Sequence, residues 1–191
     1  MSSQVMRVSQ PNRRSLAKVT LLAVLSTESV FFGMLLMVFL YMRSQQTSWP
    51  FMNTTLPELT LPIANTLLLL LSTVFARRAI QVIRRDDVKA LNTALPITLI
   101  MGLVFVAGQV IEFNRSGMTI TDTAFAGAFF ILVAFHALHV LAGVVMLAIN
   151  TVRSRLGDFS AGSYLPVEIG SWFWYYVAGV WLVLFFVLYI I

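Results

Sequence analysis

The stretch DTAFAGAFFILVAFHALHVLAGVVMLAIN, residues 122–150, decides the fold class, because it stays apolar for long enough to cross a bilayer. A helix of about 20 predominantly apolar residues spans the hydrocarbon core of a membrane. Four further runs meet the same criterion, at residues 18–42, 61–82, 94–113 and 170–191. The sequence therefore predicts an all-α membrane protein built as a bundle of five transmembrane helices.

The composition supports a membrane location and excludes several kinds of site. Hydrophobic residues make up 59% of the 191 residues and charged residues only 11%, and the mean hydropathy is +0.86, which is far from a soluble domain. Runs such as LLLLLSTVF (67–75) lack the alternation of barrel strands. The chain has no cysteine, which excludes disulfides, iron–sulfur clusters and thiolate metal sites. We expect residues 18–191 to form one transmembrane domain behind a basic cytoplasmic tail, residues 1–17.

The basic residues are distributed unevenly between the two sides of the predicted bundle. Only Arg43 and Arg115 fall on one side, and the other eleven fall on the opposite side. The positive-inside rule then predicts a cytoplasmic N-terminus and an external C-terminus. The same distribution explains the net charge of +5 as a record of topology, and we expect no nucleic-acid partner. The eleven are Arg7, Arg13, Arg14, Lys18, Arg77, Arg78, Arg84, Arg85, Lys89, Arg153 and Arg155.

Within the predicted spans, Glu28 is the residue whose insertion into the membrane costs the most free energy. It lies about ten residues into the first span, roughly 15 Å deep at 1.5 Å per residue, and therefore near the middle of the membrane. A central acidic residue costs about 2.5 to 3.5 kcal/mol on insertion scales. Two interpretations stay open at this point: a structural hydrogen bond between helices, and a proton-handling or lipid-related role.

Three further polar residues occupy the ends of predicted spans. Gln109 and Glu112 are three residues apart, so they share a face of the third span, on which Gly102 also lies. That pattern favours a polar end face that pairs across helices. Glu168 begins the last span, where a helix N-terminus favours a carboxylate. Its position alone predicts a helix cap.

His136 and His139 are the two histidines of the chain. They share one helix face, which Gly143 continues, so this face is expected to pack closely against another helix. A haem with two histidine ligands needs them on opposite sides of the macrocycle, which one helix cannot supply at this spacing. The Glu-x-x-His pattern of di-iron bundles is also missing from the sequence. Hydrogen bonding between helices is therefore favoured over a metal or haem site.

Motifs from four spans, taken in order, resemble one family. The first span contains STESVFFGMLLMVFLYMR (26–43), and the second contains LPIANTLLLLLSTVFARRA (61–79) with Asn65 in an Asn-Thr pair. The third contains GQVIEF (108–113), and the fourth contains AFHALHVLAGVVML (134–147). Together they resemble subunit III of the haem-copper terminal oxidases, in the five-helix form common in prokaryotes. The resemblance covers nearly the whole membrane part of the chain.

The last span matches that family only in part. Tyr175 stands where the family has histidine, and Ala178 stands where it has aspartate. The interactions of those two polar groups therefore cannot be carried over to this chain. The positions that do match are Glu168, Trp174, Val177 and Trp181.

The resemblance implies a subunit of a respiratory oxidase that carries no cofactor itself. Haem and copper would lie in partner subunits, with this chain packed directly on subunit I beside subunit II and other small subunits. The chain would stabilise subunit I, support proton uptake during oxygen reduction, and bind phospholipid in a prokaryotic plasma membrane. Glu28 matches the carbodiimide-reactive carboxylate of the family, which lies close to a lipid cleft. The remaining polar residues would form an internal network that fixes the bundle: Asn65, Gln109, Glu112, His136, His139 and Glu168.

Three other functions are compatible with the sequence. An accessory subunit of nitric oxide reductase shares the fold. A haem-bearing membrane anchor of a quinone oxidoreductase would show a b-type spectrum in the isolated chain. A proton-coupled carrier acting alone would depend on Glu28. The electron donor, cytochrome c or a quinol, is decided on other subunits.

Overall fold

The computed structural model describes residues 13–45, 59–115, 119–121 and 124–190. Five α-helices, each long and apolar enough to cross a membrane, account for nearly all of them. The prediction of an all-helical, multi-pass membrane fold with five spans is thereby confirmed. The helices are α1 (Arg13–Ser44), α2 (Thr60–Ile83), α3 (Val88–Arg115), α4 (Ala124–Arg155) and α5 (Leu165–Phe185), and a π-helical turn, Phe186–Ile190, continues α5.

The first helix begins earlier than the predicted tail boundary. Its first residue is Arg13, so residues 13–17 of the segment assigned to the tail are helical. The rest of that segment, residues 1–12, lies outside the described residues, as do most of the long loop between α1 and α2 and the first two residues of the fourth predicted span.

Short connections determine which helices lie next to each other at one end of the bundle. Asp86 adopts a left-handed backbone with φ +61° between α2 and α3, and the Asp87 carboxylate accepts a hydrogen bond from the Ala90 amide at 2.9 Å, which caps α3. Gly157 follows α4 with φ +83°, a conformation that glycine adopts without steric cost. Pro166 lies in the first turn of α5, where its missing N–H costs nothing.

Helices α2 to α5 form a closed ring, and α1 lies outside it. In the ring, α2 packs on α3 and α5, and α4 packs on the same two helices. The peripheral α1 packs on α4 and α5. The ring therefore holds the core, and α1 covers one side of it.

Trp174 is the centre of the ring. Its side chain is fully buried and fits only because two neighbouring helices present glycine. A Cβ added to Gly102 would lie 2.7 Å from Trp174 Cη2, and one added to Gly143 would lie 2.8 Å from Cε3. The close packing expected of the Gly143 face is thereby confirmed.

Candidate functional site

Glu28 and His139 meet where α1 lies against α4. Glu28 Oε2 is 3.2 Å from His139 Nε2, and their side chains are 34% and 15% exposed. Both residues lie far from the ends of their helices. The carboxyl group is therefore paired inside the protein on one side and still accessible from the outer surface of the bundle on the other.

The hydrogen-bond geometry assigns a tautomer to His139. His139 Nδ1 lies 2.8 Å from the Phe135 carbonyl oxygen, which can only accept a hydrogen bond, so Nδ1 carries a hydrogen. Two lone pairs facing each other across the 3.2 Å between Nε2 and Oε2 would repel, so one proton lies between them. Either Glu28 donates it to a neutral imidazole, or an imidazolium donates it to the carboxylate. The pair has no net charge in either form.

Aromatic side chains surround the pair on the protein side. The Phe32 ring meets the His139 ring edge-on with centroids 5.0 Å apart, and the Phe173 ring stacks on it at 6.4 Å. Phe135 lies 6.1 Å from the same imidazole. Apolar walls strengthen the carboxyl–imidazole interaction by lowering the local dielectric constant.

His136, one turn earlier, lies in a different environment. Its ring is 2% exposed and stacks on Trp181 with centroids 5.2 Å apart. Neither ring nitrogen has a hydrogen-bond partner within the described part of the chain. Of the two histidines, only His139 is hydrogen-bonded to a carboxyl group, although both rings contact Phe32.

A second polar group lies near the C-terminal end of α3. Gln109 Nε2 donates to Glu112 Oε2 at 3.3 Å, and the Tyr189 hydroxyl donates to Glu112 Oε1. The Tyr189 bond joins α3 to the π-helical turn after α5. In the same part of the bundle Asn65 donates from Nδ2 to the Phe105 carbonyl at 3.1 Å, which joins α2 to α3.

Glu168 joins three helices at the opposite end. Its carboxylate is 3.0 Å from an Arg84 terminal nitrogen and 2.9 Å from Lys18 Nζ, and its side chain is only 5% exposed. It is more than the helix cap expected from its position, because both partners belong to other helices, Lys18 to α1 and Arg84 to the turn after α2. Its role as a link between helices was not apparent from position alone.

The six polar residues expected to form one internal network thus fall into separate groups. Asn65, Gln109 and Glu112 lie toward one end of the bundle, His139 joins Glu28 on the outer side, and Glu168 lies at the opposite end. His136 forms no side-chain hydrogen bond to any of them.

Two buried tryptophans make polar contacts that the sequence did not predict. Trp174 Nε1 donates to Ser72 Oγ at 2.8 Å, and Trp181 Nε1 donates to Thr66 Oγ1 at 2.9 Å. Both bonds join α5 to α2. The hydroxyl residues in the otherwise leucine-rich run at 66–72 were the available signal, because a buried indole N–H needs an acceptor.

No group of three histidine, cysteine or acidic side chains that could hold a metal ion occurs among residues 13–45, 59–115, 119–121 and 124–190. The pairs described above each contain at most two such side chains.

Comparisons with known proteins identify the family. A family profile described as cytochrome c oxidase subunit III matches residues 10–191. Cytochrome c oxidase subunit 3 of Thermostichus vulcanus is 34% identical over 172 residues, which cover 90% of this chain and 85% of that protein. The protein of the same name from Synechocystis is 35% identical over 168 residues, 87% of this chain and 72% of the relative.

A third relative aligns over the whole chain. The probable cytochrome c oxidase subunit 3 of Nocardia farcinica is 30% identical over 194 aligned residues, covering 100% of this chain and 95% of that protein. These matches confirm the resemblance that the motifs of the separate spans indicated. The chain belongs to the cytochrome c oxidase subunit III family.

Proposed function

We propose that this chain is the non-catalytic subunit III of a haem-copper respiratory oxidase. In this role it stabilises the catalytic subunit I and supports proton uptake while the complex reduces oxygen. The observation that carries the proposal is the family match across residues 10–191. Haem and copper belong to the partner subunits, and the relatives' name favours cytochrome c as the electron donor.

The Glu28–His139 pair is the part of the chain most suited to a role in proton uptake. Its single shared proton and its neutral overall charge allow it to persist in a low-dielectric environment. The partial exposure of Glu28 leaves one side of the carboxyl group open to a lipid or a neighbouring subunit. Glu168 is better suited to holding helices together, because its carboxylate is only 5% exposed and both of its partners are basic side chains.

The charged end of the bundle supports a proposed membrane orientation. Lys18 and Arg84 bind the same Glu168 carboxylate, so the start of α1, the end of α2 and the start of α5 lie at one end. We place that end, with the N-terminus, in the cytoplasm of a prokaryotic cell. Because the chain has no cysteine, single substitutions Thr121→Cys and Ser160→Cys can test this in intact cells. A membrane-impermeant maleimide should label the first and spare the second, and the reverse pattern would contradict the orientation.

Purification through a tag on this chain tests the function. Extraction in mild detergent, mass spectrometry of co-purifying proteins and a reduced-minus-oxidised spectrum should reveal a large haem-copper subunit. The chain separated from its partners should show no haem absorbance. Recovery of the chain alone with a b-type spectrum would replace this proposal with a haem-bearing anchor.

Deletion of the gene tests the accessory role more directly. An oxidase lacking this chain should keep its initial rate of oxygen consumption and lose activity progressively during sustained turnover. Complete and immediate loss of activity in an assembled complex would contradict a non-catalytic role.

A further inference from the structure

A cleft of about 590 Å³ opens on the outside of the ring between the end of α2 and the start of α3. Its polar wall carries three arginines, Arg77, Arg78 and Arg85, together with Gln81. The one acidic residue in its lining is Asp87, whose carboxylate already accepts the Ala90 amide hydrogen. The cleft is therefore strongly electropositive.

The three arginines differ from the neighbouring Arg84. Arg84 is held by Glu168. All three are exposed. Within the described residues, the side chains of Arg77, Arg78 and Arg85 form no hydrogen bond or ion pair. Their guanidinium groups keep their N–H donors available, and the planar fork of arginine matches a phosphate in a two-point contact.

The depth of these arginines restricts what can bind them. Arg77 lies six residues before Ile83, the last residue of α2, which is about 9 Å of helix rise. Charged side chains at this depth must extend toward the headgroup layer to keep their ends solvated. The cleft therefore lies at the level where lipid phosphates lie.

Below the cleft an apolar stripe continues along the same face of α2. Leu67, Leu71, Val74 and Arg78 follow one another at intervals of three or four residues, and the three apolar side chains are all more than half exposed. This stripe leads from the arginines into the hydrocarbon region. It provides a path for an acyl chain whose headgroup is held above it.

We propose that this cleft binds the phosphate headgroup of an anionic phospholipid, with Arg78 and Arg85 as the principal ligands and an acyl chain along Leu67, Leu71 and Val74. Basic pockets between transmembrane helices on the cytoplasmic side recognise such headgroups. The site lies between α2 and α3, whereas Glu28 lies between α1 and α4, so it is separate from the Glu28–His139 pair. It does not depend on the proposed oxidase function, because it rests on the charge and shape of this chain alone.

Native mass spectrometry of the full-length chain in mild detergent tests the site. The probes are phosphatidylglycerol and phosphatidylcholine, titrated in competition. The double variant Arg78→Gln/Arg85→Gln should lose about 30-fold of its preference for phosphatidylglycerol, since each basic residue contributes about 1 kcal/mol near a membrane surface. The matched control Lys89→Gln/Arg155→Gln removes two exposed charges outside the cleft and should keep that preference. An unchanged preference in the cleft variant, or an equal loss in the control, would overturn the proposal.

Two further variants keep the proposal falsifiable if the first one folds poorly. Arg78→Lys/Arg85→Lys retains the charges and should retain most of the preference. In a second assay, Gln81→Cys labelled with a benzophenone maleimide should cross-link to lipid in the intact complex. Cross-linking to a neighbouring subunit instead would make the cleft a protein interface and overturn the lipid assignment. Displacement of phosphatidylglycerol by millimolar inorganic phosphate alone would assign the site to free phosphate.

Discussion

The ring of α2 to α5 and the peripheral α1 are held in different ways. In the ring, Trp174 lies against glycines on α3 and α4, and both Trp174 and Trp181 donate to hydroxyl groups on α2. By contrast, α1 has polar tethers at three levels: Lys18 to Glu168, Glu28 to His139, and Arg43 to the Val187 carbonyl at 3.1 Å. Lipid supplies no hydrophobic driving force between helices, so close packing and hydrogen bonds decide association. The difference indicates that packing of tryptophan on glycine fixes the ring, whereas breakable polar contacts supplement the packing of Phe32 and Phe39 on the helix that carries Glu28.

Trp174→Ala should produce the largest loss of stability, because it empties the centre of the ring. The change removes a fully buried indole and its hydrogen bond to Ser72, and such truncations cost about 3 to 5 kcal/mol. Thermal unfolding of the purified full-length chain in mild detergent measures the effect. Trp172→Ala is the control, because Trp172 is only half-buried and lies near Lys18. Equal losses in the two variants would contradict a ring built around Trp174.

Gly143→Ala should be the next most damaging change. The added methyl group would lie 2.8 Å from Trp174 Cε3, and overpacking of a tight core costs about 2 kcal/mol. The matched change Gly33→Ala on α1 places a methyl group where nothing lies within 4 Å. It should be neutral or raise stability by up to about 1 kcal/mol, because alanine favours a helix more than glycine does. The same unfolding assay compares the two, and a greater loss at Gly33 would reverse the contrast between the ring and α1.

Glu168→Gln should loosen α1 without disrupting the ring. It removes the charge that binds Lys18 and Arg84, and the cost is about 1.5 kcal/mol, the lower end for charged hydrogen bonds, because both partners are partly solvated. Disulfide trapping between cysteines introduced into α1 and α5 should become slower or less specific. Asp158→Asn is the control, since it breaks an ion pair with Arg153 in which both side chains are more than 40% exposed. A larger effect of Asp158→Asn would contradict the buried link.

The sequence predicted the parts of this fold that depend on length, periodicity and small residues. Five apolar runs predicted five helices, and Gly143 predicted a close approach on its face. It did not reveal that Trp174 was the residue approaching Gly143, because a side chain's partner on another helix depends on helix rotation and register. Helix pairing is a property of the assembled bundle, and spacing along one helix does not encode it.

The sequence predicted which residues form the candidate site better than it predicted which of them pair with each other. The cost of an acidic group in the membrane identified Glu28, and the shared face identified the two histidines. The spacing of His136 and His139 suggested equivalent roles. The structure nevertheless stacks the first on Trp181 and sets the second against Glu28, although both rings also contact Phe32 of α1. This distinction appears only when α1 and α5 are both in place.

Glu28→Gln should have the smallest effect on stability and the most specific effect on function. The amide keeps a hydrogen-bonding group beside His139 Nε2, so the loss of stability should stay below about 0.6 kcal/mol, the average for a whole hydrogen bond between membrane helices. The shared proton is lost, however, because an amide does not exchange one with imidazole. Assembly and initial oxygen consumption should stay largely intact, and sustained proton uptake or lipid retention should fall. Oxygen electrode traces of the purified complex over many turnovers measure this.

His139 and His136 provide the internal comparison for that experiment. If Glu28 acts through the shared proton, His139→Gln should reproduce the change in sustained turnover. The double variant Glu28→Gln/His139→Gln should then be no worse than either single variant, because both substitutions remove the same interaction. His136→Leu should lower assembly without changing sustained turnover, since its ring nitrogens have no hydrogen-bond partner among the described residues. The haem content of each assembled complex should not change. Additive losses at Glu28 and His139 would mean that the two act separately, and loss of all activity in an assembled Glu28→Gln complex would contradict an accessory role.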